Sequence, residues 1–269
     1  MEFFLLFLKT IWFRPYVFAF LAAFLVSAIA LIGWPRTWRF WLISWITAFV
    51  CEYSSTRNGI PFGWYHYTGS TVGQELYLSN IPFMDSISFS FLLFASYALA
   101  LLLLLPVVPG DRHSGLQLPR LSFALPGRTS WPVFILTVLL FAFIDMVIDP
   151  VALRGDRWFL GKIYYYPDPG VHYGVPMANY VGWAVVGSIS LLIYFPLDRR
   201  LTASLPLQLP STTHRLLLGA GLYYGVLIFN LAVTFWIGES LQGTTGLLMY
   251  VPVTAILLLR LLTPAPPHA

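Results

Sequence analysis

Seven apolar stretches dominate the chain, at about residues 16–33, 38–52, 85–108, 131–149, 180–197, 215–238 and 245–262. A helix needs roughly 20 predominantly apolar residues to cross the hydrocarbon core of a bilayer. Inside hydrocarbon each backbone N–H and C=O must be satisfied within the protein, which leaves helices or a closed barrel. Barrel strands alternate apolar and polar residues. Here 58% of the 269 residues are hydrophobic and only 10% are charged, too little polarity for such alternation. The expected fold is therefore all-α, a polytopic integral membrane helical bundle with about seven transmembrane helices, six to eight allowing for its ends. It is read as a single transmembrane domain over residues 1–269. The second stretch is short, but Trp38, Trp41 and Trp45 suit an interfacial belt. Residues 3–13 read as a half-span or an interfacial helix, and no small-residue cleavage site follows them, so no removed signal peptide is expected.

Charge and cysteine content narrow the function classes. A formal net charge of +4, scattered over membrane-flanking loops, fits anionic headgroups. No basic helix or aromatic-basic array points to nucleic acid. Cys51 is the single cysteine, which excludes an internal disulfide and a cysteine-based metal cluster. His66, His113, His172, His214 and His268 lie too far apart for a metal motif, and no HExxH, CxxC, glycine-rich phosphate loop or GxSxG elbow occurs. No metal and no cofactor is expected. Proline and glycine clusters at 106–110, 206–210 and 264–267 read as helix ends and linkers.

With seven spans, alternate loops share one side. Face A, the side of the N-terminus, receives loops 53–84, 150–179 and 239–244. Lys and Arg are more numerous on the opposite side, face B, so the positive-inside rule leans towards face B being cytoplasmic. The acids are more informative. Glu52 ends the second span, Asp85 begins the third, Asp145 and Asp149 end the fourth, and Glu239 ends the sixth. Five of the eleven acidic residues thus meet at the face-A ends of the helices, together with Asn179 and Asn230. No titratable group is expected in the face-B half of any span.

The segment FIDMVIDP (143–150) is the most constraining of these. Asp145 and Asp149 are four apart, so they share one helical face. Two carboxylates that close in a medium of low dielectric do not both ionise, and one is expected to hold a proton at neutral pH. Pro150 biases Asp149 out of helix and so towards the helix C-terminus, where the dipole also disfavours an anion. A carboxylic acid kept neutral in this way is a usable general acid. The bland alternative is a pair that caps a helix end or binds Arg154 or Arg157 in the headgroup region. Intramembrane ionisable residues are functional by default, which favours chemistry.

Two face-A loops are expected to be structured caps over this site, 53–84 and 150–179. The first crowds Arg57, Asn58, Tyr65, His66 and Tyr67 into a short stretch broken by Gly59, Pro61 and Gly63. The second carries Trp158, Tyr164, Tyr165, Tyr166, Tyr173, Tyr180 and Trp183, an aromatic density that fits either an interfacial belt or the wall of an apolar pocket. Ring faces would also stabilise a cation.

The pattern E-x5-N-G-I-P-F-G-x-Y-x-Y from Glu52 to Tyr67, with D-x3-D-P-V from Asp145 to Val151 and Y-G-V-P-x-x-N-Y-x-G-W from Tyr173 to Trp183, resembles the membrane carotenoid-biosynthesis hydratases. These include the γ-carotene 1′-hydratase and bisanhydrobacterioruberin hydratase types. The resemblance covers roughly residues 38–260; it is weaker between Trp158 and Tyr164, and the loop at 109–129 departs from it. It implies cofactor-free addition of water to the terminal C1=C2 double bond of an acyclic ψ end group, in lycopene, γ-carotene or a related carotenoid. Asp145, Asp149 and Glu52 are the expected catalytic residues, one aspartate protonating C2 and the other, or Glu52, orienting the water. Arg57, Asn58, Tyr65, His66, Tyr67, Asp85, Tyr173, Asn179, Trp183, Asn230 and Glu239 are the expected substrate- and water-binding set. The expected partners are the carotenoid, the lipid bilayer and a downstream carotenoid-modifying enzyme such as a glycosyltransferase, and the expected location is a bacterial cytoplasmic (inner) membrane. Two alternatives use the same residues. A membrane carotenoid or terpene cyclase starts from the same protonation, and a proton-coupled transporter would use the aspartates as relay groups.

Overall fold

The computed structural model describes residues 2–107, 118–204 and 212–262. The linkers expected at 206–210 and 264–267, most of that at 106–110, and His113 and His268 lie outside the described residues. Among the described residues eight α-helices follow one another: α1 (Glu2–Phe13), α2 (Pro15–Ile32), α3 (Trp34–Asn58), α4 (Phe83–Leu104), α5 (Trp131–Ala152), α6 (Met177–Ser204), α7 (Thr212–Trp236) and α8 (Ser240–Leu262). Six of them, α2 and α4 to α8, are long and apolar enough to cross a membrane. The seventh long helix, α3, has 25 residues but carries Arg36, Arg39, Glu52 and Arg57. The protein is an integral membrane helical bundle.

Local chemistry sets the helix ends. Pro15, Pro35 and Pro132 sit in first turns, where the missing N–H costs nothing. Gly59 ends α3 in the left-handed conformation at φ 78°. The span expected to end at residue 52 therefore runs on to Asn58, and Glu52 lies inside it.

Helix α4 is the hub. Its apolar span is 83% buried, against 33% for α2 and 17% for α8, as expected of a helix that is apolar on all sides. Helix α7 approaches it closely at Gly219, where a Cβ would stand 2.4 Å from that of Ala98. The shorter α1 keeps Phe3, Phe4, Leu5 and Trp12 exposed and turns Phe7 onto Phe18 and Phe83.

The face-A loops fold over the helix ends. Strand β1 (His66–Tyr67) precedes the hairpin of β2 (Tyr77–Leu78) and β3 (Ile81–Pro82), and β1 pairs antiparallel with β4 (Tyr164–Tyr165) of the second loop. The pairing continues through Thr68 N–H to the Ile163 carbonyl at 2.8 Å. Between α1 and α2, Arg14 clamps both loops. Its fully buried guanidinium donates to Glu75 at 2.8 and 3.2 Å and to the Leu160 carbonyl at 2.6 Å.

Face B corrects an expectation. Asp198 is 1% exposed and accepts from Arg36 at 2.7 Å and from Arg128 at 2.8 and 3.2 Å. Thr202 accepts from both arginines, and Tyr97 donates to the Arg128 carbonyl at 2.9 Å. The expectation that the face-B ends hold no titratable group fails because α6 continues past residue 197, which puts Asp198 inside a helix, and because a 3-10 turn at Gly127–Thr129 folds Arg128 inwards.

Arg14→Ala leaves the Glu75 carboxylate buried without its counter-charge, an imbalance that costs about 3–5 kcal/mol. The expected outcome is a clear fall in melting temperature in detergent with little loss of helical circular dichroism at low temperature. An unchanged melting temperature would show that the clamp contributes nothing.

Candidate active site

Beneath the face-A loops lies a cavity of about 130 Å³. Helices α2 to α7 and both loops line it. Glu52 enters from α3, Asp85 from α4, Asp145 and Asp149 from α5, Asn179 and Trp183 from α6, and Asn230 from α7. No Lys, Arg or His is among the lining residues. Four carboxyl groups share this space without a cation on its wall, so neutral donors have to satisfy them.

The donors are phenols and an amide. Tyr67 Oη lies 2.8 Å from Glu52 Oε1 and 2.6 Å from Asp85 Oδ2, bridging those two carboxyls. Asn179 Nδ2 donates to Asp145 Oδ2 at 2.5 Å and to Asp149 Oδ2 at 3.0 Å. Asp149 also accepts from Tyr164 and, at 2.6 Å, from Tyr166. Burial first, and then the neighbouring Asp85 and Glu52, push the Tyr67 phenol well above its usual range; burial and Asp149 do the same for Tyr164 and Tyr166. These phenols remain protonated donors at any ordinary pH. Two carboxyl oxygens are buried with no partner, Asp145 Oδ1 and Glu52 Oε2.

The strand pleat explains how the phenols reach the site. Tyr67 of β1 and Tyr164 of β4 pair on one face, and Tyr65 and Tyr166, two residues away just outside the strands, line the same cavity. His66 and Tyr165 pair across the ladder on the opposite face, and Tyr165 is 43% exposed. Below the tyrosines the wall is aromatic. Trp183 stacks on Phe89 at 4.3 Å and meets Phe141 at 4.7 Å.

Helix α5 does not stop at Pro150 as the sequence leads one to expect, but continues through it to Ala152. Proline cannot donate to the carbonyl four residues earlier. That carbonyl belongs to Met146, and His172 Nε2 donates to it at 3.0 Å. Trp158 Nε1 donates to the Val151 carbonyl and Arg154 to that of Pro150, so side chains of the second loop complete the helix end.

Of the residues singled out in the sequence, Glu52, Tyr65, Tyr67, Asp85, Asp145, Asp149, Asn179, Trp183 and Asn230 line the cavity. Five do not. Glu239 is bound by Arg154 at 3.1 Å and by Arg157, and although partial burial opposes it, these cations hold its carboxyl below the usual value. Arg57 is exposed and donates to Asn80, Ser79 and the Tyr53 carbonyl. Asn58 accepts from the Ile60 N–H in the turn after α3. His66 packs between Trp64 and Tyr165, and Tyr173 bonds Thr245 at 2.8 Å. Tyr164 and Tyr166 were legible only as part of an aromatic-rich loop; the YxY spacing, matched at Tyr65 and Tyr67, is the signal for their shared orientation. Among the described residues no three or more His, Cys, Asp or Glu groups are placed to share one metal ion.

Comparison with known proteins agrees with this reading of the motifs. A model of the family described as carotenoid biosynthesis protein matches residues 13–253. A bisanhydrobacterioruberin hydratase of Haloarcula japonica is 31% identical over 200 residues, which is 72% of this chain and 56% of the relative. The chain thus spans little more than half the length of that curated relative. No solved structure matches significantly.

Asn179→Leu removes the amide shared by Asp145 and Asp149 and leaves buried carboxyl oxygens unpaired, at about 1–3 kcal/mol. A lower melting temperature in detergent than wild type is expected, and Asn179→Asp is expected to be worse because it adds a fifth carboxyl to the cavity. Equal stability of all three proteins would contradict the assigned network.

Proposed function

We propose, for a chain that belongs to the carotenoid biosynthesis protein family, that it hydrates the terminal C1=C2 double bond of an acyclic carotenoid end group without a cofactor. The observation that carries the proposal is the asymmetry of the α5 pair: Asp149 accepts three hydrogen bonds, while Asp145 has one oxygen buried and unpartnered in an aromatic cavity. Three donors stabilise charge on Asp149, so the proton of the pair is best held on Asp145 Oδ1, free to leave. The hydratase name of the Haloarcula japonica relative supports the same reaction class.

The reaction begins as Asp145 delivers its proton to C2 and the π electrons form the new C–H bond. The positive charge falls on C1, a tertiary carbon. The faces of Phe89 and Trp183 and the nearby carboxylates stabilise it as it develops. Water then attacks C1, and its oxygen becomes that of a tertiary alcohol. The proton lost from that oxygen goes to a carboxylate, Asp149 or Glu52, and passes back to Asp145 to close the cycle. Glu52 Oε2, buried without a partner, is oriented by Tyr67 for the water-holding role. The alcohol is a suitable acceptor for a glycosyltransferase downstream, and we propose the bacterial cytoplasmic membrane as the location.

Expression in a lycopene-producing bacterial host, with pigments analysed by mass, tests the reading. A carotenoid heavier by one water is expected from the wild type. Asp145→Asn is expected to lower conversion by about 10²-fold or more, the usual contribution of a general acid, with thermal stability retained. A cyclised product of unchanged mass, or near wild-type conversion by Asp145→Asn, would overturn it.

A further inference from the structure

A cavity of about 130 Å³ leaves no room for the whole length of a long polyene, so only its end group enters. The rest of the molecule has to leave through the wall. Three directions are blocked by structure that does not part easily. The core side is α4, packed on all sides. The face-A side is the β1–β4 ladder, clamped to the α1–α2 junction by the buried Arg14–Glu75 pair. On the α5–α6 side, Asn179 ties the two helices together through both aspartates.

The seam between α2 and α7 is different. The Arg215 guanidinium donates to the Ala30 carbonyl at 2.7 Å and ties these helices at their face-B ends, far from the cavity. At the cavity the seam is closed by rings. Tyr16 stacks on Phe229 at 5.3 Å, and Phe20 meets Phe229 edge-on at 5.6 Å. These three line the cavity. Phe159 does not, but it packs on Tyr16 at 5.3 Å and on Phe229 at 6.3 Å and is 51% exposed. A continuous ring cluster thus runs from the cavity wall to the protein surface beside α2, a peripheral helix. Ring contacts of this kind break by rotamer changes, without loss of any backbone hydrogen bond.

We propose that the α2–α7 seam is the lateral portal of the site, through which the polyene tail of the substrate lies while its end group reaches Asp145. Tyr16, Phe20 and Phe229 are the gate, and Phe159 is the outermost contact on the tail. The tail stays in the bilayer, so the apolar surface it buries on the rings adds affinity without contributing to the chemical step. The assignment rests on the carotenoid substrate proposed above.

A photoreactive benzophenone side chain at position 159, in otherwise intact protein with added lycopene, tests the portal. The same group at positions 192 on α6 and 248 on α8, both exposed in the structure, serves as the control. An adduct at 159 well above those at 192 and 248 is expected; no adduct at 159, or equal adducts at all three, overturns the portal whatever the conversion. Hydration is read separately, as product one water heavier from unmodified protein, so failure of the reaction and failure of the portal are distinguishable. In a second measurement, Phe159→Ala is expected to raise KM for the carotene several-fold with kcat unchanged. It is expected to leave both unchanged for a ten-carbon alkene with the same trisubstituted end. Equal effects on the two substrates, or none on either, count against the portal.

Discussion

A carboxyl group in a low-dielectric interior must find donors, and the bilayer supplies none. Four such groups stand at one end of this bundle, and much of the face-A architecture provides for them. The β1–β4 ladder holds the tyrosines in place, Asn179 spans the α5 pair, and Arg14 fixes the two loops that carry the ladder. Helix α5 is finished by side chains from the same loop, including the His172 ring on the carbonyl that Pro150 leaves without a helical donor. The lid and the site are thus one hydrogen-bonded unit.

The two ends of the bundle treat buried acids in opposite ways. On face B, Asp198 sits between Arg36 and Arg128, a charge matched by cations. An acid matched in this way is held in place by its ion pairs. On face A the acids have neutral donors, and two of their oxygens have none. The difference between the carboxyls of the two ends lies in the partner, cations on face B and neutral donors on face A.

Much of this was visible in the sequence. Apolar runs located the helices, and the parity of the spans brought Glu52, Asp85, Asp145 and Asp149 to one end. What could not be read was set by contacts between distant segments. Glu239 shares that end with the others, but only the fold reveals that Arg154 and Arg157 take it out of the cavity. Arg14 and Glu75 are 61 residues apart, and neither carries a local pattern that announces the other. Asp198 escaped because a helix end defined by hydropathy stops at the first charge, whereas a buried ion pair lets the helix continue. Tyr164 and Tyr166 fit an interfacial belt and a pocket wall equally well in the sequence, because composition records a ring and omits the direction of its hydroxyl.

The pleat of the β1–β4 ladder gives the lid a parity. Shifting either strand by one residue exchanges its inward and outward sides, so Tyr164 and Tyr166 would give way to Tyr165, and Tyr65 and Tyr67 to His66. Asp149 would lose two of its three donors at once, and a histidine would enter a cavity whose wall carries no cation. A single-residue insertion or deletion that moved the register would therefore rewrite the hydrogen bonding of the cavity while leaving each of its four carboxyls in place. Loop length in this protein carries electrostatic information, and it is open to tolerant variation in steps of two.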